Sequence, residues 1–347
     1  MGGYVTAAGH ADRSLARPLR WQPGYRGVAM TDRAAELDPQ VAELLAGFEA
    51  GVSPPTETLS VATGRALLNE LFTVEEPDPV DAVTDLELRG PEEPVPVRIY
   101  EPKTDTSGAR PVLVFFHGGG WSRGSLDAYD GLCRLFANDA DCIVVSVDYR
   151  RAPEHPFPAG FEDCYAATEW AAEHAESLGG DPDRVAVGGD SAGGNLTAAV
   201  TLAARDRDGP DLTHQLLVYP AVNPPSVRWF DSYDENASGY FLEMSGVEAY
   251  LEQYLTREAD VGNDYAFPLR ARDLSGLPPA TVVTAGFDVL RDEGTAYATR
   301  LETADVPVEH HHYPAQIHGF LSLYEHIDEG RQAIDDVTAA LETAFEG

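Results

Sequence analysis

The sequence predicts an α/β architecture: a mostly parallel central sheet with helices on both faces. Three observations predict it. From residue 111 onward, short and almost wholly apolar runs, such as 111–116 and 184–188, alternate with longer stretches of helical periodicity, the pattern of strands buried on both faces and joined by helices. Glycines follow two of these runs directly, at Gly118 to Gly120 and Gly188 to Gly194, so they open loops at the carboxyl ends of strands. The 347 residues are 43% hydrophobic, enough for one large sheet carrying insertions around a single core.

In chain order, residues 1–29 contain Arg13, Arg17, Arg20 and Arg26 against the single acid Asp12. This segment is expected to be a disordered basic extension, with Met30 as an alternative start. Residues 30–80 are expected to supply N-terminal cap helices. Asp38 reads as an N-cap, Pro39 as the first helical residue, and Val41, Leu44, Leu45 and Phe48 as one apolar face ending at Gly51. A second helix is expected over 57–72. Both precede any strand and are placed to fold over the sheet as part of a lid. Residues 84–89 and 95–100 alternate apolar with polar side chains around Gly90 to Pro94, which predicts an antiparallel edge hairpin.

The α/β core is expected over 81–222 and 268–347. Strands are predicted at 111–116, 142–147, 184–188, 215–219, 280–284 and 306–313, with helices at 126–138, 161–178, 195–205, 293–303 and 330–345. The insertion 223–267 has no strand pattern. It holds Trp229, Phe230, Tyr233, Tyr240, Phe241, Tyr250 and Tyr254, a density suited either to lining an apolar pocket or to ordinary helix core.

Gly189, Ser191 and Gly193 form a GxSxG pentapeptide between a predicted strand and a predicted helix. In such an elbow a Cβ at either glycine would collide with the strand or helix beside the turn, and the serine hydroxyl is exposed above the sheet. A serine nucleophile needs a base, a group that orients the base, and donors for the oxyanion. His318 follows the last predicted strand and is the best base among ten histidines. His310, His311 and His312 resemble a metal tract, but neighbours on a strand face opposite ways and nothing nearby completes a metal site. Asp288 stands just past a predicted strand end and is the expected orienting acid. Its rival Asp292 occupies a place where a helix N-cap is wanted. The amides of Gly118, Gly119 and Ala192 are the expected oxyanion hole. Trp121, Tyr240 and Phe241 are expected to bind substrate. The order Ser191, Asp288, His318 is that of the α/β-hydrolase fold.

The sequence resembles the hormone-sensitive-lipase-like family of α/β-hydrolase esterases. The resemblance is carried by HGGGW at 117–121, DYRRAPEHPFPA at 148–159, GDSAGG at 189–194, LPPATVVTAGFDVLRDEG at 277–294 and HGF at 318–320. It runs from about residue 38 to the C-terminus. Arg151 stands where similar sequences usually have leucine, and residues 1–29 have no counterpart. The resemblance implies a cap built from the N-terminal helices and the 223–267 region, hydrolysis of small and often short-chain carboxylic esters by a serine carboxylesterase, and no metal or organic cofactor. Lactone or amide hydrolysis by the same triad is the near alternative. A non-catalytic small-molecule receptor is the distant one, since a receptor has no need of a complete triad.

Composition bounds the setting. The 58 acidic residues against 24 basic ones give a net charge of −34, and Lys103 is the only lysine. The acids are scattered singly rather than clustered, which describes an acidic surface and makes nucleic acid an improbable partner. Such a body repels itself unless salt shortens the Debye length from about 10 Å at 0.1 M to about 3 Å at 1 M. The protein is therefore expected to be salt-adapted, and the composition resembles that of proteins from extreme halophiles. No run reaches the roughly 18 apolar residues of a membrane span, and no signal core is seen, so cytoplasmic localisation is the expectation. Cys133, Cys142 and Cys164 are expected to be buried small hydrophobes. The expected partner is a small-molecule ester, with a homodimer left open.

Overall fold

The structure, a computed structural model, describes residues 32–50, 56–104, 108–224, 226 and 230–346. The basic segment 1–29, Gly51 and Trp229 lie outside the described residues.

Helix α1 (Pro39–Ala50) is capped as the sequence predicts: the Asp38 carboxylate accepts from the amides of Gln40 at 2.8 Å and Val41 at 3.3 Å. Helix α2 (Val61–Phe72) begins later than the expected residue 57. Ser60 takes the Thr63 amide at 3.1 Å as its N-cap, and Thr56–Thr58 form a separate 3-10 turn. The edge hairpin is β1 (Ala82–Leu88) and β2 (Val95–Glu101), paired antiparallel. Of these two strands β1 alone lies at an edge of the sheet, because β2 also pairs antiparallel with β4 (Ile143–Val147).

The remaining strands are β3 (Arg110–Phe116), β5 (Gly180–Asp190), β6 (His214–Val218), β7 (Ala280–Phe287) and β8 (Val308–Ile317). They complete an eight-stranded sheet in the order β1-β2-β4-β3-β5-β6-β7-β8, parallel from β4 to β8. Helices α3 (Asp130–Asp139), α4 (Ala159–His174), α5 (Ala192–Asp206), α8 (Arg291–Thr303) and α9 (Asp328–Glu346) cover it. Two short helices, α6 (Ser232–Glu235) and α7 (Met244–Tyr254), lie between β6 and β7.

Strand β3 shows why the strands read as continuous apolar runs. Val112, Val114 and Phe116 enter one core with Val187 and Leu196, while Leu113 and Phe115 enter the opposite core with Phe136 and Ile334. Each fully buried side chain of this size contributes about 2 kcal/mol. Cys133, Cys142 and Cys164 are buried and unpaired. Among the described residues, no helix is long and apolar enough to cross a membrane.

The boundary differences come from local hydrogen bonding. Ser125 accepts the Ala128 amide at 3.2 Å in a turn, so α3 starts at Asp130 rather than 126. Pairing of Phe287 with Ile317 carries β8 beyond residue 313. That extension places His318 immediately after the strand.

Candidate active site

Strand β5 ends at Asp190 and α5 starts at Ala192, which leaves Ser191 alone on the turn with φ 57° and ψ −116°. A non-glycine residue held there stores about 1–3 kcal/mol. The surroundings over-determine it: the Ser191 amide donates to the Val218 carbonyl at 2.8 Å, and the Ser191 carbonyl accepts from Asn195 at 3.0 Å and Ala221 at 3.2 Å. The flanking glycines are sterically required. A Cβ on Gly193 would lie 1.8 Å from the Phe116 carbonyl oxygen, and one on Gly189 would lie 2.5 Å from that oxygen and from the Gly193 carbonyl carbon. Real Cβ atoms do not approach that closely.

Three loops at the carboxyl edge of the sheet bring Ser191, His318 and Asp288 together. His318 Nε2 lies 2.9 Å from Ser191 Oγ, and His318 Nδ1 lies 2.8 Å from Asp288 Oδ2. Asp288 is fully buried. Its Oδ1 accepts the Leu290 amide at 2.9 Å, and its carbonyl accepts from Asn236 Nδ2 at 2.9 Å. An ionised Asp288 holds the proton on Nδ1, so Nε2 faces the serine hydroxyl as an acceptor. Asp292 points elsewhere. It is not an N-cap, since α8 begins at Arg291 without a side-chain cap. Instead Asp292 pairs with the buried Arg291 at 2.6 Å and accepts the Ser232 amide at 2.8 Å.

The glycine loop requires a correction. The Gly118 amide is already committed, donating to Asp190 Oδ1 at 2.7 Å and to the Tyr129 hydroxyl at 3.1 Å. It is therefore withdrawn from the oxyanion hole. Within the described residues, no hydrogen bond uses the amides of Gly119, Gly120 or Ala192. Gly119 and Gly120 have φ of 109° and 60° and line the cavity in front of Ser191. Asp190, which the sequence showed only as part of the pentapeptide, ties that loop to the elbow. Its other oxygen accepts from Tyr129 at 3.0 Å, and burial pushes its pKa up to about 6 against the pull of these donors.

The cavity has a volume of about 630 Å³. Leu45 and Phe48 of α1, Leu67, Leu68 and Leu71 of α2, and Tyr240, Phe241 and Tyr250 of the insertion line it together with Ser191 and His318. Trp121 does not reach it. Its ring is 4% exposed, stacks on Tyr254 at 4.4 Å and donates Nε1–H to Asn195 at 3.2 Å. Trp121 therefore braces the loop from behind and is withdrawn as a substrate contact. The insertion aromatics divide accordingly: Tyr240, Phe241 and Tyr250 face the cavity, whereas Tyr233 and Tyr254 are core.

Two further clusters are structural. His310 and His312 both bond the Thr284 hydroxyl at 2.9 Å, and His312 also meets the Asp32 carbonyl at 2.7 Å. Buried Glu293 accepts the Val222 amide at 2.6 Å, the Asn223 amide at 3.0 Å and the Tyr233 hydroxyl, and burial raises its pKa to about 8. It fixes the chain leaving β6 next to the acid loop. A lone glutamate in a helix start carries no sequence signal for such a role.

Comparison with known proteins gives the family and its relatives. Residues 113–322 match the family described as alpha/beta hydrolase fold. Esterase LipI of Mycobacterium tuberculosis is 43% identical over 271 residues, covering 76% of this chain and 83% of its own length. Carboxylesterase NlhH of the same organism is 41% identical over 326 residues, covering 89% of this chain and 97% of its own. Among solved structures, an ester hydrolase from the metagenome of Lake Arreo superimposes with a TM-score of 0.85 at 39% identity, covering 90% of this chain and 100% of its own. The chain belongs to the α/β-hydrolase fold family, and these relatives within it are ester hydrolases.

Proposed function

We propose that this carboxylic ester hydrolase works through an acyl-enzyme on Ser191 and takes small, short-chain esters. The observation that carries the mechanism is the continuous hydrogen-bonded line from Ser191 Oγ through His318 to Asp288. Ser191 Oγ attacks the ester carbonyl carbon while its proton passes to His318 Nε2. The tetrahedral oxyanion is held by the amides of Gly119, Gly120 and Ala192. His318 then returns the proton to the alkoxide as the carbon–oxygen bond to the alcohol breaks. Water repeats the sequence on the acyl-enzyme, releasing the acid and restoring Ser191. Asp288 acts through His318, fixing its tautomer and stabilising the imidazolium.

Helices α1 and α2 and the 223–267 insertion are read as the cap, because their side chains wall the cavity on the side facing Ser191. The wall is closed by rings packed at a tilt, with Phe241 6.1 Å from Phe48 and 6.3 Å from Phe72. A series of p-nitrophenyl esters tests the size reading. The kcat/KM should peak at acyl chains of about two to six carbons, the short-chain class that the resemblance implies, and fall on the order of tenfold or more by twelve carbons. A maximum at twelve carbons or longer would refute it.

Salt adaptation is read from the charge of −34 with one lysine, and a cytoplasmic setting from the free thiols of Cys133, Cys142 and Cys164. On dilution from molar salt into about 50 mM, the helical circular dichroism signal should collapse as screening is lost. An unchanged spectrum would remove the salt argument and leave the esterase assignment intact.

A further inference from the structure

Arg123 is an unusual residue in this cavity. It lines the space in front of Ser191, yet the residue is only 9% exposed. Burying a guanidinium is costly unless an anion or several acceptors compensate it. The other strongly buried arginines have such partners: Arg150 meets Asp163 at 2.9 Å, and Arg291 meets Asp292 at 2.6 Å. Arg123 forms no ion pair among the described residues, and its one side-chain hydrogen bond reaches the Thr56 carbonyl at 3.5 Å, too long to offset the desolvation. Glu57, Glu70 and Glu243 also line the cavity, but none pairs with it among the described residues.

The surroundings nevertheless hold the guanidinium in place. Its carbon lies 5.0 Å from the centre of the Tyr250 ring, a cation–π contact. Tyr250 is itself seated against Gly120, where a Cβ would come within 2.4 Å of the ring. On the other side stands Gly64, in the interior of α2, where a Cβ would lie 2.5 Å from the guanidinium carbon. Glycine inside a helix costs about 1 kcal/mol relative to alanine, and here it makes room for the guanidinium. The Arg123 amide also donates to the Gly119 carbonyl at 2.9 Å, so the side chain is anchored to the loop that faces the reacting carbonyl.

Building on the esterase reading, we propose that Arg123 is a carboxylate-binding residue, and that the preferred esters carry a second, ionised carboxylate on either the acyl or the alcohol side. The planar fork of N–H donors matches a carboxylate in bidentate geometry. Such a substrate would supply the missing counter-ion to a largely buried guanidinium.

The test is a ratio of kcat/KM values for matched anionic and neutral esters, measured in molar salt on the full chain. One pair places the charge on the acyl side, p-nitrophenyl hemiglutarate against p-nitrophenyl valerate. The other places it on the alcohol side, 4-acetoxybenzoate against 4-acetoxybenzamide. In Arg123→Met and Arg123→Gln the anionic-to-neutral ratio should fall about 10- to 100-fold in one pair, with Arg123→Lys recovering part of it. Gly64→Ala, which displaces the guanidinium without removing its charge, should lower the same ratio. The neutral ester corrects each variant for damage to the cavity, and two charge-removing variants guard against one failing to fold. Ratios unchanged in both pairs would overturn the proposal. Failure of the unsubstituted protein to hydrolyse any of the four esters, anionic or neutral, would instead sink the esterase reading on which it rests.

Discussion

Ser191→Ala should lose on the order of a million-fold in kcat on p-nitrophenyl acetate while keeping its circular dichroism spectrum, because nucleophile and base act as one unit and neither compensates for loss of the other. The fold should survive because the elbow is held by the backbone. The Ser191 amide and carbonyl make the bonds to Val218, Asn195 and Ala221, whereas among the described residues the Ser191 hydroxyl bonds only His318. Residual turnover above about a thousandth of the original would mean that another group performs the attack.

The second large effect separates two neighbouring acids. Asp288→Asn should reduce kcat by about 10⁴-fold, since an amide in contact with His318 Nδ1 favours the tautomer that leaves Nε2 protonated and unable to accept the serine proton. Asp292→Asn should act on stability instead. Arg291 and Asp292 are both buried and form a 2.6 Å pair. Neutralising one partner exposes the other as an uncompensated charge, a change of about 3 kcal/mol that Glu235, 3.0 Å from Arg291, partly offsets. Steady-state kinetics beside a melting curve distinguishes the two. If the kinetic loss follows Asp292 and not Asp288, the acid assignment is wrong.

The fold was legible where burial writes itself into the sequence. Strands such as β3 are covered on both faces, so they read as unbroken apolar runs, and the alternation of such runs with helical periodicity implied the parallel sheet. Element ends were less legible because single side chains decide them, as Ser60 does for α2 and Ser125 for the turn before α3. In the site, Ser191, Asp288 and His318 could be picked out as a candidate set because each lies just past a strand end, and the fold brings the three into hydrogen-bond contact. Gly118 was misplaced for a different reason. Glycine reveals that backbone can approach closely, but whether its amide is free depends on Asp190 and Tyr129, which only the folded sheet brings to it. Trp121 failed similarly, since its stacking partner Tyr254 lies in the insertion, far along the chain. Arg123 escaped notice because an arginine in a loop ordinarily faces water, and only the packing of Gly64 and Tyr250 encloses this one.

The central claim is that the Ser191 hydroxyl is an activated nucleophile, and covalent labelling tests it most directly. Treated with a fluorophosphonate probe in molar salt, the protein should gain one adduct by intact mass, peptide mapping should place it on Ser191, and the Ser191→Ala variant should remain unlabelled. Absence of an adduct on the folded protein, or an adduct on any other residue, would contradict the account.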